Sequence, residues 1–160
     1  MDLVQGCALT AASVAALIDV RSRRIPNWLT LGTLFLGLGL NAWLHGFGGL
    51  TTAIFGAALG FALLVPFYVM RVMGAGDVKL LSALGALVGA QALVSVAVYA
   101  ALVGGAISLL ILTARGQLLA GVSDVFVGRR FPRLSGATAP YGVAIAGGMY
   151  LSQILPGVLG

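Results

Sequence analysis

The sequence has no glutamate, one cysteine, one histidine and little charge of any kind: 8% of its 160 residues are charged and 60% are apolar. Soluble globular chains carry roughly 25% charged residues, so a water-soluble domain is excluded, and so is a disordered one. The single cysteine, Cys7, rules out an internal disulfide framework and any Cys-x-x-Cys metal site. Lying within an apolar run, it reads as a small core residue. With one histidine, His45, there is no His/Cys cluster for a metal, and neither a metal nor a cofactor is expected. No basic stretch precedes the first apolar run, so a cleavable signal peptide is not expected either. The net charge of +5 comes from nine basic residues scattered between apolar runs. They form no stripe, and nucleic acid is not an expected partner. Glycine is abundant, at 24 residues, but it is spread through the apolar runs and forms no linker.

What is present is hydrocarbon-compatible sequence. A membrane-crossing helix needs about 20 mostly apolar residues. By that measure the chain reads as a single all-α, polytopic membrane bundle over 1–160. About six transmembrane helices are expected, at 3–20, 28–44, 50–72, 78–92, 93–114 and 138–158. The run from Leu80 to Thr113 divides only at a turn near Gly89-Ala90-Gln91. Positive charge gathers in cytoplasmic connections. Six spans put all nine basic residues on one face: Arg21, Arg23 and Arg24; Arg71 and Lys79; Arg115, Arg129, Arg130 and Arg133. The opposite connections, at His45-Gly46-Phe47-Gly48-Gly49 and Gly89-Ala90-Gln91, hold none. The expected orientation therefore has the N-terminus outside the cytoplasmic membrane and the basic loops inside. Gly56-x-x-x-Gly60 and Gly85-x-x-x-Gly89 are small-xxx-small patterns that let helix backbones approach closely in lipid.

In such a bundle the acids are the first residues to question. Asp2 is terminal, and Asp124 reads as a solvated loop acid. Asp19 closes the first span and Asp77 sits between the third and fourth, on the same expected face. Each has an ordinary reading: Asp77 as N-cap of a helix starting at Val78, Asp19 as an interfacial acid paired with Arg21 or Arg23. Two acids on one face, in a chain with four, point instead to shared chemistry.

The ordered motifs Asp19-x-Arg21-x-x-x-Ile25-Pro26-Asn27, Gly74-x-Gly76-Asp77-x-Lys79 and Pro140-Tyr141-Gly142 resemble those of the type IV prepilin peptidases along nearly the whole chain. The resemblance implies that Asp19 and Asp77 are a catalytic pair. It also implies substrates of the prepilin or pseudopilin kind, with a basic leader and a hydrophobic helix, cut just after a glycine at the cytoplasmic membrane face. Larger members carry a cytoplasmic insert with two Cys-x-x-Cys pairs and also methylate the new N-terminus. The connection from Val20 to Asn27 leaves no room for that insert, so the chain is similar to the short peptidases of tight-adherence pili, and methylation is not expected.

Two neighbouring carboxylates cannot both ionise cheaply, so one serves as base and the other as acid. Helix ends favour Asp77, at an N-terminus, as the base and Asp19, at a C-terminus, as the acid, while the arginines after Asp19 oppose that assignment and leave it open. Gly74 and Gly76 either admit substrate backbone or mark a tight turn. Lys79 either balances charge near Asp77 or faces lipid headgroups. Arg21, Arg23 and Arg24 are topology determinants, Arg21 also flanking the site. Ile25-Pro26-Asn27 starts the second helix, since proline stops the first from continuing. Pro140, Tyr141 and Gly142 either shape the site or simply begin the last helix. His45 lies on the outer face, which leaves no Ser/His/Asp set. The rivals are a presenilin-type intramembrane protease, which a tyrosine before Asp19 would favour, a small proton- or cation-coupled transporter using the same acids, and a non-catalytic scaffold.

Overall fold

The structure, a computed structural model, describes residues 3–70, 73–114 and 141–155. Arg71, Pro140, Asp2, Asp124 and the basic residues Arg115, Arg129, Arg130 and Arg133 lie outside the described residues. The described chain is all-helical: α1 (Leu3–Ser22), α2 (Asn27–Val69), α3 (Ala75–Ala114) and α4, Tyr141–Ile154. Three of the helices are long and apolar enough to cross a membrane: α1, α2 and the Ala75–Ile111 stretch of α3.

Helix α2 has 43 residues, about 64 Å at 1.5 Å per residue, twice the hydrocarbon thickness of a bilayer. It does not run straight. Gly46, at φ 59° and ψ −142°, interrupts it, and Gly89, at φ 78° and ψ 170°, interrupts α3 in the same way. These are left-handed or mirror-image conformations that glycine adopts without the Cβ penalty. Each long helix is thus two segments, 27–45 with 47–69 and 75–88 with 90–114. The breaks fall in the two connections that the sequence leaves free of basic residues. The fourth expected span, 78–92, is displaced: the break comes at Gly89, and the helix begins at Ala75, three residues before Val78. The last helix is described over Tyr141–Ile154, and both ends of the expected 138–158 span lie outside the described residues.

The packing is inverted relative to a soluble protein. The buried face of α2 consists of Thr30, Thr33, Gly37, Asn41, Gly49, Ala53, Gly56 and Gly60, while Trp28, Phe35, Trp43, Phe47 and Phe55 point outward. In water this arrangement would forfeit most of the hydrophobic driving force. In lipid, large apolar groups cost nothing outside, and small residues inside allow close backbone contact. The expected glycine patterns serve that purpose. A Cβ on Gly56 would collide with the carbonyl oxygen of Gly85, and one on Gly60 would lie 2.6 Å from the Leu81 oxygen.

Helix α3 is central, touching α1, α2 and α4, while α1 packs on α4. Leu80, Leu81, Leu84, Leu87, Leu93 and Val96 of α3 form the core with Ile145 and Met149 of α4 and the alanines of α1. Asn41 ties α2 to the end of the 75–88 segment. Its Nδ2 lies 3.0 Å from the carbonyl oxygens of Gly37, Ala86 and Leu87, and the last two are helix-end carbonyls with no successor N–H before the break. Interhelical polar contacts in membranes contribute about 0.6–1.7 kcal/mol each. Asn41→Leu is therefore expected to lower the thermal midpoint in detergent by an amount equivalent to about 1–3 kcal/mol, and a melt unchanged from wild type would contradict this cap.

Candidate active site

The route of Asp19 into the bundle is set by the inner face of α1. Ala8, Ala12, Ala15 and Asp19 recur at helical spacing and are all buried, so the stripe that packs against the neighbours ends in a carboxylate. Asp19 is 7% exposed, while Arg21 is exposed to solvent. The surface-acid reading of Asp19 therefore gives way to an interior one. Helix α1 stops immediately afterwards: Arg23 takes a left-handed conformation (φ 50°) and its N–H donates to the Asp19 carbonyl at 2.8 Å, an αL helix end.

Asp77 sits in the first turn of α3, as its third residue. The expected N-cap role is corrected in detail. Because the helix starts at Ala75, Asp77 reaches back instead of capping forward: Gly74 N–H donates to its Oδ2 at 3.3 Å, and its own N–H donates to the Gly74 carbonyl at 3.2 Å. This is the back-reaching half of a capping box.

The first turn of α4 reaches Asp19 directly and lies within electrostatic reach of Asp77. Gly142 N–H donates to Asp19 Oδ2 at 2.9 Å in a buried hydrogen bond. Tyr141 is half-buried, and its phenol lies over Gly104 of α3, the ring's Cζ and hydroxyl 3.5 and 3.6 Å from where a Gly104 Cβ would stand. Asp77 lies within electrostatic reach of both Asp19 and Tyr141. The structure thus brings together Asp19, Asp77, Tyr141 and Gly142, from three helices. The helix-end argument that makes Asp77 the base loses its premise: Asp19 sits at the N-terminus of α4 as well as the C-terminus of α1, so helix ends do not separate the two carboxyls.

The remaining candidates surround this centre. A Cβ on Gly76 would lie 3.1 Å from Ile25 Cβ, whereas one on Gly74 would make ordinary contacts, with Asp77 Oδ2 at 3.5 Å and the Gly76 nitrogen at 4.0 Å. Gly76 is therefore a packing glycine against the α1–α2 connection, and Gly74 has space beside the carboxyl. Gly74→Ala is expected to keep more peptidase activity than Gly76→Ala, and the reverse order in a cleavage assay would contradict this division. Lys79 Nζ donates to Asn27 Oδ1 at 3.0 Å, linking the starts of α2 and α3. Asn27 and Ile25, helix-starting residues by their sequence, also receive Lys79 and pack on Gly76, respectively. Asn41 is the one amide within the 28–44 run, which is the sequence signal for its buried role. The described basic residues Arg21, Arg23, Arg24 and Lys79 share the end of the bundle that holds the two acids. His45 lies at the other end, where with Leu3, Gln5, Asn41, Gln153 and others it lines an open cavity of about 490 Å³.

Together these features define a helical membrane protein whose interior acids converge at one end of the bundle. The sequence matches the type IV leader peptidase family over residues 7–109, and the chain belongs to that family. It is 39% identical over 119 residues to a prepilin leader peptidase/N-methyltransferase of Burkholderia pseudomallei (strain 1026b), a match covering 70% of this chain and 37% of that one. With the protein of the same name from Pectobacterium carotovorum subsp. carotovorum the identity is 38% over 105 residues, covering 61% and 37%. With that of Escherichia coli (strain K12) it is 40% over 96 residues, covering 56% and 42%. The matched part is thus well under half the length of these relatives. No solved structure matches.

Proposed function

We propose that this chain is a membrane-embedded aspartic endopeptidase that removes the leader of prepilin-like proteins after a glycine, at the cytoplasmic face of the inner membrane. The observation that supports this reading is that Asp19, held by the first turn of α4, lies within electrostatic reach of Asp77 in a member of the leader peptidase family. The expected membrane arrangement accompanies it. The segments 3–22, 27–45, 47–69, 75–88 and 90–114, with the helix from Tyr141, make six crossings, with the N-terminus outside and the acids inside.

The chemistry needs only the pair and a water. Two carboxyls in mutual electrostatic reach hold one proton between them at little cost and two negative charges only at high cost. The ionised one takes a proton from water as the oxygen adds to the scissile carbonyl carbon. The protonated one gives its proton to the carbonyl oxygen. Collapse of the tetrahedral intermediate breaks the C–N bond: the leaving nitrogen takes the proton first removed from water, and one hydroxyl of the intermediate returns its proton to the carboxylate that had protonated the carbonyl oxygen. The exit of a carboxylic acid and an amine restores the starting charge. Gly74, with open space beside Asp77, is placed where an extended peptide backbone can approach. Methylation of the new N-terminus, which the relatives' name also records, is left out of this proposal. Residues 23–26 are all that separate α1 from α2, and Cys7 is the chain's only cysteine.

The test is reconstitution. The purified chain in detergent is mixed with a prepilin bearing a basic leader, a glycine and a hydrophobic segment, and the product is weighed by mass spectrometry. Cleavage after the glycine is expected. An uncut substrate, together with proton or cation flux in vesicles that Asp→Asn changes abolish, would replace the peptidase with the transporter.

A further inference from the structure

The hydrogen bond between Gly142 and Asp19 joins residues 123 positions apart and is buried. It is made possible by what Gly142 lacks. A Cβ there would stand 3.0 Å from both the Cβ and Oδ2 of Asp19 and 3.3 Å from its Cγ. These are tighter than nearly all real Cβ contacts, so a side chain at 142 makes the Asp19 carboxyl give way by a few tenths of an ångström. Asp77 is held in a parallel way: one oxygen, Oδ2, accepts a glycine N–H, that of Gly74. Among the described residues, Oδ1 of each aspartate has no hydrogen-bond partner. Two glycine amides thus grip the two carboxyls by one oxygen each and leave the other oxygen of each for water and substrate. Of the two grips, that of Gly142 is shorter, buried and anchored in a separate helix.

We propose that Gly142 is a positioning residue of the peptidase centre: its main-chain N–H fixes Asp19 through Oδ2, and its missing side chain makes the space this requires. The inference rests on the two-aspartate reading and adds the group that orients one member of the pair. A carboxylate shifted by a few tenths of an ångström presents its free oxygen off its working position, and since about 1 Å of misplacement costs a reacting centre on the order of 100-fold, a shift of this size costs up to about 10-fold. Substrate binding along the rest of the bundle is untouched.

The experiment compares two glycines of the same helix in the full chain. A Cβ on Gly147 would stand 3.1 Å from Val103 Cγ1, nearly the same crowding but against a side chain of α3 remote from Asp19. Gly142→Ala is expected to lower kcat about 3–10-fold with KM within about twofold. Gly147→Ala is expected to keep kcat within about twofold and lose only thermal stability. Equal kcat in the two variants overturns the proposal. If Gly142→Ala fails to fold, the amide proton of Gly142 in isotope-labelled wild type provides the second measurement. A large upfield move in Asp19→Ala, greater than for other glycines of α4, supports the contact, and an unmoved resonance overturns it. Cleavage by Asp19→Asn would defeat the two-aspartate reading itself. An inactive Asp19→Asn beside a fully active Gly142→Ala would defeat the positioning role alone.

Discussion

Asp19→Asn and Asp77→Asn, made separately, are each expected to reduce prepilin cleavage by about 10²–10⁴-fold while the protein stays folded, which is the range a positioned acid or base contributes. Asparagine keeps the shape of the side chain and can still accept the glycine N–H that each aspartate receives, Gly142 for Asp19 and Gly74 for Asp77. The helix ends therefore keep their partners, and thermal midpoints are expected to move little. What is lost is the exchangeable proton and the negative charge. Because the two carboxyls act as one unit, the double variant should be no slower than the worse single one within error. Initial rates of leader release, measured with melts on the same samples, check all three statements. A single variant that cuts at a wild-type rate removes the dyad from the mechanism.

The second large effect is expected at the α2–α3 crossing, where Gly56 faces Gly85 and Gly60 faces the backbone of Leu81 and Ser82. Gly56→Leu would drive a side chain into the Gly85 carbonyl, a main-chain atom that no rotamer change can move aside. Overpacking costs typically 1–3 kcal/mol when side chains can adjust. Here the helices themselves must separate, so a loss of about 3 kcal/mol or more is expected, with failure to extract as a folded species. On the outer face of the same helix, Gly32 and Gly39 have nothing within 4 Å of an added Cβ. Gly32→Ala and Gly39→Ala should stabilise by about 0.5–1 kcal/mol, because glycine loses the most conformational freedom in a helix. Thermal unfolding of the three variants in one detergent gives the order. A Gly56→Leu protein that melts like wild type would mean the two helices do not cross there.

Particular residues mark how far the sequence could be read. The apolar runs and the charge-free connections located the interruptions at Gly46 and Gly89, because a straight helix of that length cannot stay within a bilayer and glycine is where it bends most cheaply. The acids Asp19 and Asp77 stood out because charge is expensive in hydrocarbon and is seldom kept there without a use. Three details were out of reach. Lys79 finding Asn27 depends on how the starts of α2 and α3 lie side by side. The back-reaching bond of Asp77 depends on the helix beginning at Ala75, and helix ends shift by a residue or two with local hydrogen bonding. The neutral helix-end balance of Asp19 depends on α4, more than a hundred residues later in the chain.

The sequence by itself determined the solvent of this protein, the helical character of its runs and the two acids worth suspecting. Composition and spacing act locally, and the cost of placing a peptide or a charge in lipid is the same wherever the rest of the chain goes. Only the tertiary structure decided that Ala8, Ala12 and Ala15 turn Asp19 inward, that the first turn of α4 docks on it, and that an unsubstituted amide at Gly142 holds it. Those facts are contacts between helices. They are set by which small residues let two backbones touch, a property of pairs of surfaces that no single stretch of chain contains.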